Sequence, residues 1–315
     1  MCPSVRKKGS NRLLDRGNDM KKLAAVCFGE FLGTLILVFF GISTVAAAVL
    51  FNAFSGLMQV ALIWGLGVTL AIYATRHLSC AHLNPAVSLG MVLAGRMEAR
   101  LLPWYVGSQL LGGMAAGALL LLLLNIPISQ YEAANAIVRG TPESVRTAMM
   151  FGEYFPNPGM AQPWLSIGIG TAALAEAIGT FALVTMIFLL TEGCNVGRPA
   201  EGVSPVFIGG TVTAIISILA PLTQAGLNPA RDFGPRFVAY LAGWGPIAIP
   251  GPQGGFFVVY IAAPLLAGAA AAAFFKIVIV PLMDIRATQL TCSCEPQLPS
   301  LAAMESTTTE STETL

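Results

Sequence analysis

The sequence predicts an all-α membrane protein: six transmembrane helices plus two re-entrant half-helices, arranged as an inverted repeat of three helices. Three observations predict it. Of the 315 residues, 55% are hydrophobic and only 10% charged, with a mean hydropathy of +0.73, whereas a soluble domain carries roughly 25% charged residues. Apolar runs of the roughly 20 residues that a bilayer requires recur along the chain. Two stretches match each other: Ala81-His82-Leu83-Asn84-Pro85-Ala86-Val87 and Ala225-Gly226-Leu227-Asn228-Pro229-Ala230-Arg231-Asp232. Each follows an apolar run and opens a segment too short to span.

Residues 1–22 form a basic arm, in which Arg6, Lys7, Lys8, Arg12, Arg16, Lys21 and Lys22 face only Asp15 and Asp19. The run from Leu23 to about Leu50 is too long for the apolar core of a secretory signal. It reads as helix 1, with the arm cytoplasmic by the positive-inside rule. Helix 2 is expected from Leu57 to Thr75, a half-helix from Asn84 to Ala94, and helix 3 from Leu101 to Leu124. Residues 23–124 thus make a first channel repeat. The polar connection 125–163 is expected outside the cell, in the extracellular or periplasmic space. Residues 164–280 make the second repeat: helix 4 (Trp164 to Leu190), helix 5 (Val203 to Leu222), a half-helix from Asn228 to Leu241, and helix 6 (Gly254 to Val280). The low-complexity end, 281–315, reads as a flexible cytoplasmic tail.

Asn followed by Pro is a strong helix start, because Asn caps free N–H groups and Pro at the first helical position forfeits no bond. An irregular segment survives in hydrocarbon only where protein or a water-filled cavity surrounds it. The repeat extends beyond these motifs. Glu30-Phe31-Leu32-Gly33-Thr34 matches Glu176-Ala177-Ile178-Gly179-Thr180, with Glu30 lying 54 residues before Asn84 and Glu176 lying 52 before Asn228. Three spans per half is odd, so the copies are inverted and their half-helices meet from opposite faces.

Composition also limits function. A net charge of +1 predicts no nucleic-acid partner, and the membrane part holds no cluster of His, Cys and acids suited to catalysis or to a metal. No cofactor and no enzymatic activity are expected. The six cysteines lack paired zinc spacing and read as free thiols.

Two Asn-Pro-Ala motifs, each preceded by Glu-x-x-x-Thr on the first helix of its half, resemble the major intrinsic proteins, or aquaporins. Ile63-Trp64-Gly65-Leu66-Gly67-Val68, the run Ala81–Val87, Asn228–Pro235 and Leu241–Gly245 are similar to the bacterial glycerol-facilitator branch. The resemblance implies a passive channel for glycerol, water and similar small neutral solutes, excluding ions and protons, in a homotetramer within the lipid bilayer. Asn84, Pro85 and Ala86 with Asn228, Pro229 and Ala230 form its pore motifs, the two amides facing the lumen. Arg231 donates to hydroxyls at the outer constriction, opposite the apolar wall of Trp64. Glu30 and Glu176 hold the irregular loops, His82 and Cys80 lie at the inner pore, and Asp232 pairs with Arg236 one turn on.

Two filter positions depart from that branch: Ile216 stands where Gly is usual and Ala225 where Phe is usual. The quartet Trp64, Ile216, Ala225, Arg231 is closer to plant nodulin-type intrinsic proteins, which implies urea or metalloid acids as alternative solutes. A mainly water-conducting pore is a further alternative. A secondary transporter shares inverted repeats and broken helices, but the midplane here offers two amides in place of titrating groups.

Overall fold

A computed structural model describes residues 12–285. The first basic residues and the expected tail from 286 onward, with Cys292 and Cys294, lie outside that range, whereas residues 281–285, expected in the flexible tail, continue the last helix. The described chain is helical, without strands: α1 (Arg12–Phe51), α2 (Leu57–Ser79), α3 (Pro85–Leu93), α4 (Leu102–Ala134), the single turn α5 (Val145–Ala148), α6 (Ile169–Thr191), α7 (Ser204–Thr223), α8 (Pro229–Ala239) and α9 (Ala263–Phe274). Six stretches are long and apolar enough to cross a bilayer, the last running from Phe257 to Ile285 through α9 and its flanking wider turns. Leu62, Leu66, Leu119, Leu122 and Leu266 are exposed on their outer faces, as lipid-facing positions require.

Three boundaries differ from the sequence expectation. α1 begins inside the basic arm, since charged residues prolong a helix beyond the apolar layer at little cost. α4 runs on to Ala134, through Asn125 and Pro127. Its last turns are fixed by Glu132, which pairs with Arg139 (2.9 Å) and accepts from the Thr147 hydroxyl (2.8 Å). α6 starts only at Ile169, because the preceding residues turn back on themselves (Leu165 N–H to Gln162 O, 3.0 Å). The connection 135–168 is therefore shorter than expected, and Ala148–Phe155 within it is buried.

The two halves pack as matching sets. α1 lies against α2 and α4, as α6 lies against α7 and α9, while α2 meets α7 between the halves. The short helices are exchanged: α3 packs on α9 of the second half and α8 on α4 of the first. Calling the face that carries 135–168 the upper one, α3 descends from the middle and α8 rises from it.

Glycines allow these crossings. A Cβ on Gly65 of α2 would stand 2.5 Å from the Gly209 carbonyl oxygen of α7. Across this contact Thr69 donates to Pro205 O (3.2 Å) and Thr213 to Ala61 O (3.2 Å), the same bond in each direction. The half-helices approach equally closely, with Gly113 against Ala230 O and Gly268 against Ala86 O, both at 2.5 Å from an added Cβ. Small residues let membrane helices approach where no hydrophobic drive separates lipid from protein.

Cys27 and Cys194 are free thiols. Cys80 is disulfide-bonded, against the expectation of free thiols throughout; it is half-buried at the left-handed residue ending α2.

The crossing predicts a contrast between two glycine variants. Gly65→Ala drives a methyl group into the α7 backbone and should lower the thermal midpoint in detergent by several degrees, the effect of about 1–3 kcal/mol of overpacking. Gly107→Ala on α4, whose Cβ would meet nothing within 4 Å, should leave the midpoint unchanged or slightly raised.

Candidate functional site

Between α2 and α3, and again between α7 and α8, the chain returns into the protein through a tight irregular loop. Each loop holds three non-glycine residues in left-handed backbone: Cys80, Ala81 and Leu83 (φ 69, 52 and 56°) and Gln224, Ala225 and Leu227 (φ 61, 60 and 57°). Such conformations cost on the order of 1–3 kcal/mol each and persist only where surroundings impose them. Here two buried carboxylates impose them. Glu30 accepts from His82 N–H (2.9 Å) and Leu83 N–H (2.7 Å), and Glu176 from Gly226 N–H (2.9 Å) and Leu227 N–H (2.7 Å). Tyr105 and Tyr260 pin the loop starts through their hydroxyls, bonded to Ser79 O (2.6 Å) and Thr223 O (3.0 Å). Gln109 adds bonds to Glu30 (2.7 Å) and Ser88 (2.9 Å), and Thr223 adds one to Glu176 (2.6 Å). These four supports escaped the sequence reading. The matched tyrosines and the lone Gln109 in an apolar run were their signal.

With the loops fixed, the half-helix tips meet. Asn84 Oδ1 accepts from Ala86 N–H (2.8 Å), and Asn228 Oδ1 from Ala230 N–H (3.0 Å) and Arg231 N–H (3.2 Å). Pro85 and Pro229 start their helices at the position where a missing N–H costs nothing. The amide nitrogens cross over: Asn84 Nδ2 donates to Leu227 O (2.9 Å) and Asn228 Nδ2 to Leu83 O (2.7 Å). Each Asn thus spends one N–H on the opposite loop and keeps one.

Above the tips lies a cavity of about 510 Å³, whose walls include Trp64, Ile216, Glu153, Gln224 and Arg231. Ala225 is buried and is not part of that wall. The Arg231 guanidinium lies on the Trp64 ring, 3.8 Å from its centroid. Sequence reasoning expected the two groups to face each other across the opening; the ring quadrupole instead draws the cation onto its face. The space for the indole is left by Gly41 of α1, where a Cβ would overlap the ring. Arg231 also forms an ion pair with Glu153 from the upper connection, both side chains 4% exposed. A cation beside a helix N-terminus is misplaced on its own, and Glu153 is the compensating charge that the motif alone did not reveal.

Asp232 and Arg236 form a buried pair (3.0 and 3.1 Å), and that pair builds the connection. Asp232 accepts from Glu153 N–H (2.6 Å), and Arg236 donates to the carbonyls of Glu153 and Ala248. Below the tips, His82 Nδ1 lies 3.2 Å from Ser88 Oγ and its ring rests on Tyr105. On the lower face Arg96 pairs with Glu192 against the stacked rings of Phe188 and Phe275. No group of three metal-ligating side chains occurs among the described residues.

Both oxygens of Glu176 face an N–H donor, so an amide nitrogen has no acceptor at either position. Glu176→Gln should destabilise the fold by about 2–3 kcal/mol, read as a lower thermal midpoint, and Glu30→Gln should do likewise. Asp at either position, too short to span both N–H groups, should not restore it.

The profile of a family described as Major intrinsic protein matches residues 18–276. The chain is 41% identical over 254 residues to the glycerol uptake facilitator protein of Pseudomonas aeruginosa, covering 80% of this chain and 88% of that one. It is 42% identical over 257 residues to the protein of the same name from Haemophilus influenzae, covering 81% and 94%. Among solved structures, the aquaglyceroporin from Plasmodium falciparum superposes with a TM-score of 0.70 at 26% identity, over 84% of this chain and 99% of that one. A helical membrane protein whose two halves each send a capped half-helix to the centre, with relatives of this kind, belongs to the major intrinsic protein family.

Proposed function

We propose that the chain is a passive channel for glycerol and other small neutral solutes, with water, and that it excludes ions and protons. The observation that carries this reading is the meeting of the two half-helix tips, where each Asn retains one free amide N–H beneath a cavity walled by an indole and a guanidinium. A hydroxyl can accept from the two amides and from Arg231 while its carbon skeleton slides along Trp64 and Ile216. Two helix N-termini, each carrying roughly half a positive charge, oppose a cation at the centre. Water held by two donors there cannot relay protons along an unbroken chain, the logic general to pores of this type.

In this reading Asn84, Pro85, Ala86, Asn228, Pro229 and Ala230 form the centre of the pore, and Trp64, Ile216, Ala225 and Arg231 its selectivity filter. His82 and Cys80 line the inner mouth. Glu30, Glu176, Asp232 and Arg236 are structural supports. The channel sits in the plasma or inner membrane with both termini cytoplasmic. Lys21 and Lys22 in the first turns of α1 and Arg96, Arg100 and Arg198 on the lower face support that orientation. The upper face is then the outside, and the assembly is a homotetramer with one pore per chain.

Ile216 and Ala225 favour a second solute class. Ile216 adds an apolar wall to the cavity, and Ala225, whose own side chain stays out of that wall, leaves vacant the volume that the usual Phe would fill, a combination suited to urea or boric acid. Stopped-flow light scattering on reconstituted vesicles separates the readings, comparing water, glycerol, urea and boric acid. The native protein should pass glycerol well above the rate of bare lipid. Ile216→His should reduce glycerol flux severalfold, and Arg231→Val should weaken discrimination among the solutes. Trp64→Ala should remove the preference for molecules with an apolar edge. Unchanged selectivity in all three variants would reject the filter assignment, and boric acid outpacing glycerol would favour the second class.

A further inference from the structure

The upper cavity gathers positive charge. Arg231 stands in the first turn of α8, whose N–H groups are taken by Asn228, so that the helix adds its dipole and the guanidinium supplies the donors. Arg146 is exposed at the rim, 3.5 Å from Tyr131 Oη, and has no carboxylate partner among the described residues. A guanidinium beside a helix N-terminus is an arrangement that holds small oxyanions. Such ions are no larger than the neutral solutes a channel of this kind must admit. Left uncompensated, the constriction would collect them from any salt solution and close to everything else.

Asp232 cannot prevent this. It is fully buried, and its oxygens are taken by Arg236 and by Glu153 N–H. Glu153 is the acidic side chain in the cavity wall, and its carboxylate pairs with Arg231. Its backbone is held at both ends by α8, the N–H by Asp232 and the carbonyl by Arg236. The side chain is therefore delivered to Arg231 by a support that does not depend on the carboxylate itself. A neutral hydrogen-bond acceptor there would satisfy the guanidinium equally well, but only a charge cancels its field.

We infer that Glu153 is a specificity-determining residue: its carboxylate denies small oxyanions the Arg231 position and so keeps the channel open to neutral solutes in salt. The inference rests on the channel reading for its consequence, and on the ion pair alone for its binding claim. A unit charge in contact with the site changes anion occupancy by orders of magnitude in a dry medium. Water in the vestibule and dissolved salt reduce this to about tenfold.

The test compares glycerol flux in sodium nitrate with flux in sodium gluconate, a far larger anion, at equal ionic strength. The ratio of the two rates is read within each protein, so differences in basal flux do not enter. It should be near one in the native protein and near one in Glu153→Asp, and should fall about tenfold in Glu153→Gln. A ratio near one in Glu153→Gln, or an equal fall in the native protein, overturns the inference. Should Glu153→Gln not conduct, thermal unfolding in detergent decides: nitrate should raise its midpoint relative to gluconate, and the native midpoint should not move. No nitrate-dependent rise in the variant overturns the inference equally. Native glycerol flux no faster than bare lipid would remove the channel reading, and the thermal comparison would still judge Glu153.

Discussion

Asn84 and Asn228 each cap their own half-helix and, with the same amide, hold a carbonyl of the opposite loop. The rest of the structure depends on that crossing. Inside a bilayer every backbone polar group left unpaired costs several kcal/mol, and two loops that stop halfway expose many such groups. Glu30 and Glu176 take the N–H groups just before each motif, and the crossed asparagines take one carbonyl from each side. The left-handed residues that bend the loops are strained individually and persist because those partners leave no alternative. The contact between the tips is thus a consequence of satisfying the backbone, and a passage beside it keeps its dimensions without a moving part.

Around this centre the packing is exchanged between halves. α3 belongs to the first repeat and rests on α9 of the second, while α8 rests on α4. Neither half could bury its short helix alone, so the tips can meet only when both repeats are present. Gly113 and Gly268 set the depth of that approach, since a methyl group at either would meet a carbonyl oxygen of the facing motif. The asymmetry between the halves falls at the site where selectivity is expected. Ser88, Gln109 and His82 form a hydrogen-bonded network that holds no ion pair in the first half, and Asp232, Arg236, Glu153 and Arg231 form one of ion pairs in the second.

Much of this was legible in the residues. Asn-Pro at two equivalent places carries its own capping chemistry, and a carboxylate in an apolar helix needs partners that only an irregular backbone supplies. The inverted repeat follows from counting three spans between the copies. The reach of α4 to Ala134 was hidden because Asn125 and Pro127 look like a stop, while the residue that holds the extension, Glu132, finds its partners in the following connection. Glu153 was hidden for a related reason. Residues 125–163 read as polar on average, yet they contain the apolar run Ala148–Phe155, which folds inward and carries the carboxylate with it. The stacking of Arg231 on Trp64 depends on two residues far apart in sequence and on Gly41 leaving room for the ring, so no local pattern announces it.

A conduit of fixed shape and a site that alternates between two faces differ most plainly in how flux responds to concentration. The initial rate of glycerol movement into proteoliposomes, followed from millimolar to molar glycerol, tests the pinned centre most directly. The pinned tips require a rate that rises in proportion to the gradient and is indifferent to glycerol already on the far side. Saturation in the millimolar range, with uptake accelerated by glycerol preloaded inside, would mean that the tips part during each cycle, and would contradict the account.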